Sequence, residues 1–440
     1  MCSIEKLGTP TITLATADFL ELARATARAK GVPDLAIASI PHPIGGIVEQ
    51  EIRSKARSSI EEIVAKATAR SRSHEMAGDR SDASPLIVTG SANDVNLAFY
   101  RKGWTDGLPI VPPTRDAVRE MLRGTDLPAE HSLGDMPPAG SPVTLERIAV
   151  NAVMAGCRPI YLPVLIAALE GMLEDDFDLA GVQTSTGAHS PLLIVNGPIR
   201  HELRINCSSG ALGPGWQANA TIGRAIRLVQ NNVGGARIGV TDMTTLGAAE
   251  NYTYCLGENE ELSPWMPFHV DQGFDARDST VSVLGAFTPE QVSDHVGVRP
   301  EEILAVAASV ISTLTRFHLR TLDHIITRDS VLLLAPEHAA SISTAGWSKA
   351  DAQRYLFETC RLPYEKLKQL RRHIEPSCLR RTDEGLMVPM FSRSDAVKLI
   401  VAGGPGKHSA YVNTGHSKRI FTKKIVLPRD WATLLAEYRE

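Results

Sequence analysis

Five apolar runs constrain this chain more than anything else in it: "PLLIVNG" (191–197), "ARIGV" (236–240), "STVSVLGAF" (279–287), "DSVLLLAP" (329–336) and "AVKLIVAGG" (396–404). None alternates strictly between apolar and polar residues, so strands built from them are buried on both faces. Such strands need cover on each side, and the intervening sequence supplies it. Helices are expected over 142–155, 160–173, 219–232, 289–295, 300–316 and 348–360, with N-cap signals at Ser141-Pro142, Thr288-Pro289 and Ser348 with Asp351 three residues on. The predicted class is α/β, with mostly parallel sheets and helices on both faces. "PLLIVNGP" and "VKLIVAGGPG" both deliver a strand into a Gly/Pro turn, which suggests two related halves, about 92–287 and 288–440.

Ahead of this region, "TITLA" (11–15), "ADFLELARATARAKG", "LAIASI" (35–40) and "EIRSKARSSIEEIVAKA" read as strand, helix, strand, helix. Two strands make no stable core alone, so this βαβα unit of residues 1–70 must dock on the rest of the chain or on another subunit. Residues 71–91, within and beyond the polar "RSRSHEMAGDRSDAS", are assigned as a linker, and 92–440 as the large α/β domain.

With 46 Lys+Arg against 50 Asp+Glu, the formal charge of −4 gives no polycation signature, so no nucleic-acid partner is expected. No apolar run approaches a membrane span, and "MCSIEKLGTP" lacks a signal-peptide start. The cysteines at 2, 157, 207, 255, 360 and 378 contain no CxxC, which suits the cytoplasm. The expected partners are a small-molecule substrate and further copies of the chain in a homo-oligomer.

Four loops at predicted strand ends hold the candidate chemistry, because ligands in open α/β sheets gather there. "NGPIRHELRINCSSGALGPG" carries Asn196, Cys207, Gly210 and Gly213, followed by Asn219 at the next helix start. Its glycines let backbone amides approach an anion, and a tight structural turn is the competing reading. "VAGGPGKHSA" fails the phosphate-loop template, leaving Lys407 as an anion contact and His408 as an acid/base. "YCLGENEELSPWMPFHVDQGF" brings Cys255, Glu258, Trp265 and His269 onto one irregular segment, supplying nucleophile, orienter and base types. His189, and Glu337 with His338, sit at the ends of buried strands.

"HELRI" lacks the second histidine of HExxH and no Cys/His pair has zinc-finger spacing, so no metal ligand is assigned and the cofactor is left open. A ligand set gathered from distant loops, such as Cys207, Cys255, His189 and His269, stays open. The expected catalytic residues are Cys207, Cys255, His269, Glu258 and His408; Asn196, Gly210, Gly213, Asn219, Trp265 and Lys407 are the expected substrate contacts. The expected function is thiol-centred cleavage or reduction at a carbon–heteroatom bond of a small anionic substrate. A metal-dependent lyase or hydrolase on the same loops, and a non-catalytic binding or assembly protein for a redox partner, are the alternatives.

The N-terminal stretch "LGTPT", "F-x-x-L-A-R-A-T-A", "G-V-P-D-L" and "P-H-P-I-G-G" resembles the bacterial UGSC family of (seleno)proteins. That resemblance implies a redox-like ancestry and a Sec/Cys-Gly-Ser-Cys motif ahead of this segment. The motif is absent from the chain, so no catalytic residue is carried over from it: either the start is truncated or the fold is retained as scaffold. The remainder, through "GWTDGLPIVPPT", "NAVMAGCRP", "GALGPG" and "ENEELSPW", is similar to the larger segment fused to such domains, for which no reaction is implied.

Overall fold

The computed structural model describes residues 1–69, 87–313, 328–369 and 379–438. Most of the expected linker lies outside these residues, as does the end of the helix expected over 300–316. In the N-terminal unit, β1 (Ile12–Thr16) and β2 (Ala36–Ile40) pair in parallel, with helices Leu20–Ala29 and Glu49–Thr68. A hairpin of β3 (Ser132–Met136) and β4 (Ser141–Thr144) follows.

Two four-stranded sheets form the centre of the larger region. In the first, β5 (Ser190–Asn196) pairs in parallel with β6 (Cys255–Gly257) and antiparallel with β7 (Thr280–Ala286). Its fourth strand is β15 (Phe421–Lys424), antiparallel to β7. The second sheet contains β8 (Glu290–Ser293), β9 (Ser330–Leu334), β13 (Val397–Val401) and β14 (His408–Val412). Here β9 pairs in parallel with β13 and antiparallel with β14, and β8 closes the edge on β14. The two sheets therefore share one topology, β6-β5-β7-β15 and β13-β9-β14-β8. Each receives its fourth strand from the chain leaving the other. A small sheet of β10 (Arg361–Pro363), β11 (Arg380–Thr382) and β12 (Gly385–Pro389) flanks the second.

The pattern of side chains shows why the runs are apolar throughout. Leu193, Val195, Val281 and Val283 pack with the helices Leu145–Ala155, Leu162–Met172 and Gln217–Asn232. The alternate residues Leu192, Ile194, Leu256 and Leu284 meet Val331, Leu333, Ile400 and Val412 of the other sheet. Leu332, Leu334, Leu399 and Val401 face the helices Pro300–Ile311, Pro336–Thr344 and Lys349–Thr359. The result is a helix–sheet–sheet–helix stack with three apolar layers, in which each fully buried Leu, Ile or Val contributes about 1.5–3 kcal/mol.

The class is α/β as expected, but strand directions are mixed within each sheet. Burial on both faces arises from the stacking and places no demand on direction. Three local expectations are corrected. Residues 290–293 form β8 where a helix was expected over 289–295, because that short polar segment completes an open sheet edge. "ARIGV" is a tight turn, closed by the amides of Val240, Thr241 and Asp242 on the Arg237 carbonyl with Gly239 at φ 76°. The N-cap at 141 also shifts: Thr144 caps the following helix, its hydroxyl accepting from the Arg147 amide.

Candidate functional site

The carboxyl ends of β6 and β13 meet at one end of the stack. The Asn259 amide donates to the Val401 carbonyl at 2.7 Å, and the Gly403 amide donates to the Cys207 carbonyl at 2.9 Å. The opposite ends meet through an antiparallel bridge between Ala286 and Thr414. Loops from both halves thus converge where the parallel strands deliver them.

Cys207 is held by a clamp from the helix below it. Asn219, in the first turn of Gln217–Asn232, accepts from the Asn206 amide at 2.8 Å. Its Nδ2 reaches the carbonyls of Asn206, Ala211 and Cys255 at 3.0–3.2 Å. These bonds tie the 206–211 turn to β6, so Asn219 positions Cys207 and has no group left for a substrate. The close approach requires Gly257, where a Cβ would come within 3.1 Å of the Cys207 Cβ and 3.3 Å of the Arg200 Cδ. Gly404 has the same role across the junction, against the Ser209 side chain.

Arg200, only 3% exposed, links the thiol to three acidic residues. Its Nη1 donates to the Glu258 carbonyl at 2.7 Å and lies 3.8 Å from the Cys207 Sγ. Its Nη2 pairs with Glu260 at 3.0 Å and Glu261 at 2.9 Å. The bond from Arg200 is the main cause holding the Glu261 carboxyl down at about 2. Burial pushes the Cys207 thiol up, and the Arg200 charge opposes it. Cys207 is therefore a protonated thiol at rest, with a guanidinium placed to stabilise the thiolate.

Glu260 carries the network onward. Its Oε1 accepts from the Asn196 Nδ2 at 2.9 Å and from the Gly197 amide at 2.8 Å. Asn196 also donates to Glu258 at 2.5 Å, and the same Glu258 oxygen accepts from the Phe268 amide at 2.7 Å. Glu258 is fully buried, and burial is the leading cause raising its carboxyl to about 7. Thr280 lies opposite Asn196 in the β5–β7 register, hence on the same face. Among the described residues, Glu258 Oε1, Asn196 Oδ1, Thr280 Oγ1 and both ring nitrogens of His269 are buried and have no hydrogen-bond partner. Each such group costs about 1–3 kcal/mol when left unpaired.

Other expected residues lie elsewhere or serve structure. Cys255 is buried in β6, and burial pushes its thiol up to about 12. The thiols of Cys207 and Cys255 and the imidazoles of His189 and His269 form no metal set; among the described residues no three His, Cys, Asp or Glu side chains converge as one. Gly210 and Gly213 form an exposed turn, in which the Gly213 amide donates to the Gly210 carbonyl at 2.7 Å. Trp265 donates to the Trp347 carbonyl and packs on the second helical layer. His408 faces Ser293 at 2.8 Å and His295 at 3.3 Å, outside the Cys207 network. The carbonyl of Lys407 accepts from the Asp294 amide, tying that residue to the β8 edge. His338 is locked between the Ser409 hydroxyl and the Asp294 carbonyl. Arg200 and Thr280 were not legible as site residues, since each is an ordinary residue beside a strand end until the fold joins them.

Fold and network together define an α/β chain with a buried, titratable carboxylate–amide cluster at the carboxyl ends of its strands. Within that chain, residues 2–69 match the model of the UGSC family, across the N-terminal unit where the resemblance was read. No curated protein and no solved structure matches the chain. Among the described residues, no helix is long and apolar enough to cross a membrane.

Proposed function

We propose that the chain is an enzyme that cleaves a carbon–heteroatom bond in a small anionic molecule, with Cys207 as nucleophile and Glu258 as proton donor and acceptor. The observation that carries this reading is the continuous path from the Cys207 Sγ through Arg200, Glu260 and Asn196 to a buried carboxyl titrating near 7. The thiol passes its proton to the Glu258 carboxylate, and Arg200 stabilises the thiolate that forms. The sulfur–carbon bond forms while the heteroatom leaves with the bonding pair and takes a proton supplied through the Glu258 end. Water then displaces the sulfur and restores the thiol. None of the described cysteines forms a disulfide, which supports work in a reducing compartment.

Alkylation of Cys207 by iodoacetamide, read by mass spectrometry across pH, tests the coupling without a known substrate. The rate in the wild type is expected to show an inflection near 7 in addition to that of the thiol, and Glu258→Gln is expected to remove it. Identical profiles in the two proteins would sink the proposal.

A second reading, as an assembly protein, is favoured by the N-terminal unit, which leaves Leu7, Leu14, Val48 and Val64 more than half or fully half exposed. Sedimentation of the full chain beside Val48→Asp distinguishes it: a homo-oligomer that the substitution dissociates supports assembly through this face, and an unchanged sedimentation coefficient opposes it.

A further inference from the structure

The segment "GWTDGLPIVPPT" has no part in the Cys207 network, yet it forms the wall between two cavities of about 720 and 660 Å³. It is held in place from several sides. Arg224 pairs with Asp106 at 2.7 Å and donates to the Pro109 carbonyl, Asn96 accepts from the Ile110 amide at 2.6 Å, and Asn232 donates to the Trp104 carbonyl at 3.0 Å. An irregular, proline-rich stretch fixed this firmly is a wall built to a shape.

The larger cavity has an apolar floor and a basic rim. Phe99 and Trp104 meet edge to face at 5.4 Å, and Met154 and Val150 line the same space. Arg115, Arg147 and Arg237 also line it, and among the described residues no Asp or Glu does. Neighbouring arginines are neutralised: Arg224 by Asp106, and Arg227 by Asp242 at 3.1 Å. Among the described residues, none of the three rim arginines faces a carboxylate within ion-pair distance; the Arg147 guanidinium donates to the Pro142 carbonyl. Arg237 is shared with the second cavity, where the buried Asn231 Oδ1 lacks a hydrogen-bond partner. A pocket of this volume with a few convergent polar groups is of ligand-binding size. Guanidinium groups match carboxylate and phosphate oxygens, and an aromatic floor matches a flat apolar body.

We propose that this cavity is a binding site for an organic anion, a carboxylate or phosphate carried on an aromatic or apolar body, with Arg147 and Arg237 contacting the charge and Trp104 the body. The site is separate from Cys207 and stands whether or not that thiol is catalytic.

Titration of the full chain with 2-naphthoate and with its neutral counterpart 2-naphthamide, followed by calorimetry, tests it. Naphthoate is expected to bind at least about tenfold more tightly than the amide, a preference carried by charge alone. The double substitution Arg147→Gln with Arg237→Gln should abolish that preference and leave the affinity for the amide unchanged. Arg119→Gln, which removes a charge from an exposed ion pair with Asp116, should leave the preference intact. Cys207→Ser should also bind naphthoate like the wild type, which separates this site from the thiol chemistry. Equal affinity for acid and amide, no naphthoate binding, or a preference that survives the double substitution would each overturn the proposal. All three rim arginines are exposed, so the variants are expected to melt like the wild type, and circular dichroism checks this.

Discussion

Replacing Glu258 by glutamine should make the protein more stable at alkaline pH and leave it almost unchanged in mild acid. The Glu258 carboxyl titrates at about 7 in the folded chain against 4.5 ordinarily, because burial disfavours its charged form. Between those values the folded chain keeps a proton that the unfolded chain has released. Stability therefore falls as pH rises through this window, and the loss is complete above the folded value. At about 1.4 kcal/mol per pH unit, the loss comes to roughly 3 kcal/mol. A glutamine carries no such penalty. Its carbonyl can accept from both the Asn196 Nδ2 and the Phe268 amide, as Glu258 Oε2 does, and its amide takes the position of the unpaired Oε1. Urea unfolding of the two proteins, followed side by side, reads the difference. At about pH 4 the curves should nearly coincide, and by about pH 8.5 the variant should be ahead by roughly 3 kcal/mol. A difference that stays constant across the range would mean that Glu258 is ionised throughout, and the acid–base role built on it would fall.

Mass-resolved labelling near neutral pH should find Cys207 more reactive than Cys157 or Cys255, whose thiols burial pushes up to about 12; equal rates would contradict the burial argument. Asn219→Ala should cost about 3 kcal/mol, because it strips the bonds to three carbonyls and to the Asn206 amide, and should speed Cys207 labelling as the turn loosens. Gly404→Ala should lower the melting temperature by driving a methyl group into Ser209, and Ser209→Gly should restore part of the loss; full additivity of the two changes would show that they do not touch.

The strands were legible where the chain wrote them as apolar runs, at 191–197, 279–287, 329–336 and 396–404. What covers them was not, because a run buried against a second sheet reads like one buried against helices. β8 escaped notice because Thr288-Pro289 imitates a helix start, and its pairing with β14 is a long-range fact that no local window contains. In the site, Asn196, Cys207 and Glu258 stood out as polar residues just beyond strand ends. Arg200 did not, since an arginine in "NGPIRHE" reads as solvated until the fold buries it against Glu260 and Glu261. The basic cavity escaped for a similar reason: Trp104, Arg147 and Arg237 lie in three separate segments and share no motif.

The exchanged outer strands set the order in which this protein can be finished. β15 leaves the ribosome after every other strand of either sheet, yet it is the edge that closes the first. Until then β7 presents an unpaired border of amides and carbonyls, a template for the wrong neighbour. The early half cannot mature ahead of the late one, and separating the halves would leave each with a raw margin. For this chain the unit of folding is the pair.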